Sequence, residues 1–325
     1  MRLVAPSAFE IVETDLPEPG EGEVRVRVGA CGICGSDVHG MDGRTGRRVP
    51  PVVMGHEAAG TVEAVGPGVA GWAVGDRVTF DSTVYCGTCP FCLAGQVNLC
   101  DRRRVLGVSC AEFRQDGAFA EALVVPARIL YRLPDGLGFD RAAFAEPVSI
   151  ALHAVNRSGI GSGGSAAVIG VGMIGLLVVQ ALRERGASRI VAIDLDEAKL
   201  ALARELGATD TGFDAPVDAA FEVVGIAPTI RTAIENTRKS GTVVLVGNLS
   251  PSVEIPLQAV VSREVSLLGS AASAGEYPEA LAMIADGRMR IDPLLSARSS
   301  LEDAPEWFAR LASGERGLMK VMVTP

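Results

Sequence analysis

The sequence has no excess of basic charge: 30 lysines and arginines stand against 39 aspartates and glutamates, a formal net charge of −9 at pH 7. Nucleic acid and an anionic membrane surface both demand a basic face, so neither is expected as the main partner. A long hydrophobic run is also missing. The most apolar stretch, Ala166 to Val179, covers 14 residues, contains glycines and stops at Gln180, whereas a helix needs about 20 apolar residues to cross a bilayer. The first ten residues hold no apolar core of signal-peptide length, which makes a cytoplasmic protein the expectation. Internal repeats and low-complexity tracts are absent from the sequence as well. Without an export signal, the seven cysteines read as reduced thiols, four of them at metal spacing, and not as a disulfide framework.

What is present is ample core material. A hydrophobic content of 48% over 325 residues and a mean hydropathy of +0.29 describe a globular chain long enough for two domains. The 38 glycines and 18 prolines exceed the usual share, which favours many turns and short strands.

The stretch from Cys31 to Glu57 organises the rest. It supplies Cys34 and then Gly55-His56-Glu57, a thiolate, an imidazole and a carboxylate of the kind that binds zinc with one position left open. Ser36 and His39 follow the thiolate closely, so a hydroxyl and a second imidazole stand near enough to share its site. Arg44, Arg47 and Arg48 come next; they read as a solvated loop, or as holders of a substrate phosphate if that loop faces the site.

In chain order, Val24, Val26 and Val28 alternate with Arg25 and Arg27, the period of a half-buried strand. Further strands are expected at 60–65, beginning over 75–80, and over 117–126. Between them lies Cys86-x2-Cys89-x2-Cys92-x7-Cys100. Four thiolates close a tetrahedral shell, which predicts a structural zinc that folds its own lobe at 86–100. An iron–sulfur cluster is the rival, and the spacing does not match the ferredoxin runs. Cys31 and Cys110 are expected to pack. Glu146-Pro147 opens a helix-like segment through Val155. A carboxylate there complements the helix dipole, and it is also a candidate second acid at the catalytic metal.

From about residue 159 the pattern becomes α/β. Ala166–Ile169 reads as a buried strand, Gly170-Val171-Gly172-Met173-Ile174-Gly175 as a turn, and Leu176–Arg185 as a helix. A second strand ends in Asp194, 19 residues beyond Gly175. Gly170 and Gly172 allow close approach to a pyrophosphate, Gly175 allows helix to pack on strand, and free N–H groups at Met173 and Ile174 face the phosphates. Asp194 would bond both adenosine ribose hydroxyls and repel a 2′-phosphate, which favours NAD over NADP. A helix is expected at 197–206 with Asp196 as its cap, then a strand at 219–224, a helix at 228–238, and strands at 242–246 and 265–268. Helices near 278–286 and 304–312 lead to a final strand at 318–323, expected to rejoin the first module.

Together these residues resemble the zinc-dependent medium-chain dehydrogenase/reductase family, most of all its polyol branch of sorbitol, galactitol-1-phosphate and threonine dehydrogenases. The resemblance rests on Cys34 with Ser36 and His39, Gly55-His56-Glu57, the four-cysteine lobe, Glu146-Pro147, the glycine turn with Asp194, and the ending Met319-Lys320-Val321. It implies a GroES-like β-rich catalytic domain at 1–150 and 271–325, a Rossmann domain at 151–270 with a doubly wound parallel sheet, and a homodimer or homotetramer.

The resemblance also implies an activity. Zinc held by Cys34, His56 and a carboxylate would acidify a substrate hydroxyl, and hydride would pass to NAD. Ser36 would pass the proton to His39, whose ordinary pKa of about 6.5 suits a general base; a solvated surface histidine is the bland reading. No second cysteine stands at the Glu146 segment, which departs from the alcohol dehydrogenase pattern and points to the polyol one, with Glu57 and Glu146 both close to the metal. The expected reaction is oxidation of a secondary alcohol, a polyol or sugar alcohol, to a ketone. A phosphorylated polyol, L-threonine, and a non-catalytic dinucleotide-binding protein are the alternatives.

Overall fold

The Val24/Val26/Val28 alternation builds the central strand of the first unit, Glu23–Gly32, in which Val24 and Val26 are fully buried. Arg25 and Arg27 on its outer face both pair with Glu63 of the neighbouring strand. The structure is a computed structural model that describes residues 1–110 and 114–325. Two units are distinguished by their internal contacts: Met1–Glu146 with Tyr277–Asp286 and Ile291–Pro325, and Pro147–Glu276 with Gly287–Arg290.

The first unit carries a seven-stranded sheet. Its order is Leu295–Ser300, Lys320–Thr324, Glu23–Gly32, Glu57–Val65, Arg77–Phe80 and Leu130–Arg132, with Ala122–Pro126 also paired to Glu23–Gly32. The last strand of the chain pairs antiparallel with Glu23–Gly32 and parallel with Leu295–Ser300. That placement matters, because it inserts Lys320 next to the metal stretch. Leu295–Ser300 and a hairpin of Arg2–Ala5 with Ala8–Glu10 have short, irregular patterns that periodicity did not reveal. The strand expected over 117–126 begins only at Ala122. Its first half instead wraps residues 53–55, where Gly117, Ala118 and Phe119 donate backbone N–H groups to Val53, Gly55 and Met54.

The second unit is a five-stranded parallel sheet in the order Arg189–Ile193, Ser165–Ile169, Val217–Glu222, Thr237–Leu245 and Ser266–Gly269. The reversal of direction about Ser165–Ile169 gives the edge where such sheets bind ligands. The helix Glu197–Leu206 starts where its cap predicts, with the Asp196 carboxylate accepting from Ala198 N at 2.9 Å. The helix expected over 228–238 is Ala227–Asn236. It ends early because Thr237 is extended and buried, and its hydroxyl donates to the Ala233 carbonyl. No helix among the described residues is long and apolar enough to cross a membrane.

Candidate active site and metal centres

The register of two strands assembles the catalytic cluster. Gly32 stands opposite Glu57 in the antiparallel pair, so Cys34, two residues further, and His56, one residue earlier, meet at the same end of the sheet. Gly55 takes φ +96°, and a Cβ there would lie 2.8 Å from Cys31 Sγ and 2.9 Å from Phe119 N. Only glycine fits that turn. Cys34 then caps the short helix Gly35–Gly40, an element too brief and glycine-rich for periodicity to show. One ligand atom each from Cys34, His56 and Glu57 lies within 4.8 Å of the others, a separation that suits sulfur, nitrogen and oxygen around one zinc ion.

Burial sets the electrostatics here. The Cys34 thiol is pushed up to about 12 by burial and by the nearby Glu57 carboxylate. Glu146, at the start of the helix Ala145–Ser158, is pushed up to about 8 by burial, with Glu57 and Cys34 adding to the effect against His56 and Lys320. Ser82 Oγ donates to Glu146 Oε1 at 3.4 Å. Glu57 has a different partner: the Lys320 ammonium donates to Glu57 Oε2 and, at 3.1 Å, to the Ile33 carbonyl. Gly32 leaves the room for this pair, since a Cβ on it would meet Glu57 Oε2 at 2.5 Å.

His56 has its own support. Its Nδ1 faces Asp37 Oδ2 at 3.5 Å, which leaves Nε2 as the metal-facing nitrogen, in the carboxylate–histidine arrangement that orients metal ligands. Ser36 Oγ donates to Cys34 Sγ at 3.4 Å. Ser36 and His39 are both exposed and three apart on the helix, hence on one face. The arginines of the following loop divide. Arg44 is exposed on Asp42 and Arg47 is exposed, as a solvated loop predicts. Arg48 is buried, with Nη2 and Nε on Asp37 Oδ1 at 2.8 and 3.1 Å, because a fully buried carboxylate needs a counter-charge. Arg48 is therefore not available to a substrate phosphate.

The four-cysteine lobe is built to hold thiolates. The sulfurs of Cys86, Cys89, Cys92 and Cys100 lie within 4.8 Å of one another, and those of Cys86 and Cys92 are 4.0 Å apart. A tetrahedral zinc with bonds of about 2.3 Å requires nearly that spacing. Backbone N–H groups of Thr88 and Cys89 point at the Cys86 sulfur, and those of Cys86 and Arg102 at the Cys100 sulfur. The amide and hydroxyl of Thr88, with the Cys89 amide, draw the Cys86 thiol down to about 5. Of the two remaining thiols, Cys31 packs in the core, whereas Cys110 is half-exposed.

In the second unit, the helix Met173–Glu184 begins at Gly172 with no side chain capping it, so its first amides are open to an anion. A Cβ on Gly175 would lie 2.0 Å from the Gly170 carbonyl, while one on Gly172 would meet nothing within 4 Å. The first glycine serves packing; the second keeps the phosphate approach clear. Met173 and Ile174 are half-buried behind it. Asp194 Oδ2 accepts from Val171 N at 2.9 Å, which fixes the carboxylate at the sheet edge.

Lys320 and the burial of Arg48 were not found by motif reading, whereas Asp37, between Ser36 and His39, reads in the sequence as a residue that orients a metal ligand, and the structure sets it beside His56. Lys320 had a signal: it stands in a terminal strand whose next three residues are apolar and buried, and a charge at a buried register demands a partner.

A β-rich unit with a sulfur–nitrogen–carboxylate cluster and a zinc-type cysteine lobe, together with a parallel-sheet unit bearing a dinucleotide turn, defines a metal-dependent oxidoreductase. The chain belongs to the zinc-dependent alcohol dehydrogenase family, within the medium-chain dehydrogenases. Residues 20–135 match the alcohol dehydrogenase GroES-like domain and residues 173–286 the zinc-binding dehydrogenase domain. L-idonate 5-dehydrogenase of Vitis vinifera is 34% identical over 94% of this chain and 89% of its own length. Sorbitol dehydrogenase of Bacillus subtilis is 32% identical over 98% of this chain and 94% of its own. A Sinorhizobium meliloti protein described as a zinc-binding dehydrogenase, bound to NADP, superposes with a TM-score of 0.91 at 36% identity, covering 100% of this chain and 98% of that one. The protein is thus a zinc-dependent, NAD(P)-linked dehydrogenase acting on a small-molecule alcohol.

Proposed function

We propose that the protein oxidises a secondary alcohol of a polyol or sugar alcohol to a ketone, with NAD as hydride acceptor. One observation carries this reading: the cluster at Cys34 and His56 is completed by the buried carboxylate of Glu57, with Glu146 buried within its electrostatic reach, where an ethanol-type site has a second thiolate. Full-length likeness to dehydrogenases named for sorbitol and L-idonate supports it.

Each residue then has a role. Cys34, His56 and a carboxylate hold the catalytic zinc; the two candidates are Glu57, which lies in the 4.8 Å cluster with them but is also paired with Lys320, and Glu146, whose buried carboxyl feels the charges of all three. Bound zinc would supply Lewis acidity that lowers the pKa of a substrate hydroxyl. Ser36 receives the hydroxyl proton as it gives up its own, which would pass through the nicotinamide ribose to exposed His39 and from there to solvent. Cys86, Cys89, Cys92 and Cys100 hold a structural zinc. Residues 151–270 form the coenzyme domain, in which Gly170, Gly172 and Gly175 with Met173 and Ile174 seat the pyrophosphate, and Asp194 takes the adenosine ribose. The catalytic domain comprises 1–150 and 271–325.

The NADP named for the Sinorhizobium protein favours a second coenzyme reading. Asp194 argues against it here, since a carboxylate at the ribose repels a 2′-phosphate. The test is reduction of NAD and NADP, side by side, by a panel of sugar alcohols, aldonates, their phosphates, inositols and L-threonine, repeated on metal-stripped protein. Zinc-restorable turnover of one unphosphorylated polyol with NAD is expected. Turnover confined to a phosphorylated substrate or to L-threonine would overturn the substrate reading, and preference for NADP would overturn the coenzyme reading.

A further inference from the structure

Arg48 makes more contacts in the catalytic unit than a counter-ion needs. Its Nε and Nη2 fork onto Asp37 Oδ1, and the same Nη2 donates to Ser36 Oγ at 3.2 Å. Asp37 turns its other oxygen toward His56 Nδ1, and Ser36 turns its hydrogen toward Cys34 Sγ. One guanidinium therefore stands behind two zinc-ligand candidates by two separate routes. The fold makes room for it: a Cβ on Gly40 would lie 2.6 Å from Arg48 Cγ, so the arginine stem crosses the helix where there is no side chain.

We infer that Arg48 is the positioning residue of this active site. Through Asp37 it fixes the imidazole of His56, and through Ser36 it fixes the hydroxyl that handles the substrate proton. The second route follows from donor counting. Arginine can only donate, so its bond to Ser36 occupies one oxygen lone pair, and the serine hydrogen goes to the Cys34 sulfur. One lone pair remains to accept the substrate's hydrogen bond, in a direction set by the other two bonds, and as that proton arrives the serine's own hydrogen turns from Cys34 and is released toward solvent. The first route follows from burial. With Arg48 at 3% side-chain exposure and Asp37 at 0%, the carboxylate has no water to orient it, and the fork alone holds its second oxygen toward His56.

Lysine separates the two routes, because a single ammonium can meet Asp37 but does not reproduce the guanidinium's simultaneous reach to Ser36. The Ser36 half rests on the proposed dehydrogenase mechanism; the His56 half needs no substrate. The experiment therefore reads zinc release from the full zinc-loaded chain to a graded chromogenic chelator, where the four-cysteine lobe contributes equally to each variant, and in parallel kcat and KM. Arg48→Met is expected to lose about 10–100-fold in affinity for the more weakly held zinc, the usual effect of removing an outer partner of a metal ligand. Arg48→Lys is expected to hold zinc like the parent while kcat falls at least ~10-fold at unchanged KM.

Parent-like zinc release in Arg48→Met overturns the His56 route, and parent-like kcat in Arg48→Lys overturns the Ser36 route. If Arg48→Met does not fold, Asp37→Asn/Arg48→Met removes the stranded carboxylate and must show the same zinc loss. A parent without turnover on any substrate removes the mechanism and leaves the zinc result to decide the first route.

Discussion

Lys320 and Glu57, 263 residues apart in sequence, form an ion pair in which both side chains are 2% exposed. Burial alone would lower the lysine pKa, but the Glu57 and Cys34 groups outweigh it and hold the ammonium above its ordinary value. A lysine raised in the folded state contributes stability that is complete below its unfolded value of 10.5 and is lost only as pH climbs through the folded one, so the pair is intact at all ordinary pH. Removing one partner strands a buried charge. Lys320→Met is expected to cost about 3–5 kcal/mol in denaturant unfolding, and Glu57→Gln/Lys320→Met to recover most of that. A single-variant loss under ~1 kcal/mol would mean that water reaches Glu57.

The same pair bears on which carboxylate meets the metal. In zinc-free protein, Glu146 titrates at about 8 against an ordinary 4.5. A carboxyl raised in this way binds its proton more tightly when folded, so apo stability falls as pH rises from the ordinary value through the folded one. Near neutral pH, Glu146 and Cys34 both carry protons, and both must lose them to ligate zinc. Calorimetry of zinc uptake in buffers of different ionisation heat is expected to show about two protons released at this site, and about one in Glu146→Gln. An unchanged count in that variant would make Glu57 the ligand.

Much of this chemistry was legible in sequence because it is local. The four cysteines of the lobe and the Gly170–Gly175 turn act through short spacing, and the Asp196 cap through a single residue type. What was hidden is what depends on burial or on distant pairing. Arg44, Arg47 and Arg48 look alike in a row, yet only Arg48 is drawn inside, by an aspartate eleven residues earlier. Lys320 reaches Glu57 only because the final strand joins the first sheet beside Glu23–Gly32. The helix Gly35–Gly40 was invisible to periodicity, since six residues with a glycine at each end show no repeat.

The cysteine lobe predicts how metal loss proceeds. Each sulfur there is surrounded by other sulfurs and by amides, so without a cation the thiolates repel, and the short helix Pro90–Leu93 has no buried residue of its own to hold it. Cys100→Ser is expected to bind about one zinc fewer per chain, and to open residues 86–110 to proteolysis. Because the Cys34 cluster stands at the end of the seven-stranded sheet, to which the lobe contributes no strand, its zinc should remain. Resistance to protease equal to the parent would show that the lobe folds without metal.

Asp194 sets the last expectation, on coenzyme choice. Its carboxylate is held by Val171 N at 2.9 Å and by Asp196 N at 3.0 Å, so its position does not depend on a bound nucleotide. Asparagine keeps the size and one acceptor but removes the charge. Losing a charge-assisted bond to a ribose hydroxyl costs about 1.5–3 kcal/mol, so Asp194→Asn is expected to raise the NAD KM by roughly tenfold or more. Relief of repulsion should improve NADP at the same time, because Leu195 beside it is fully exposed and leaves space for the phosphate. The check is the ratio of kcat/KM values for NAD and NADP in parent and variant. A ratio that does not move would mean that the ribose hydroxyls are recognised elsewhere, and the preference for NAD would then need another cause than this carboxylate.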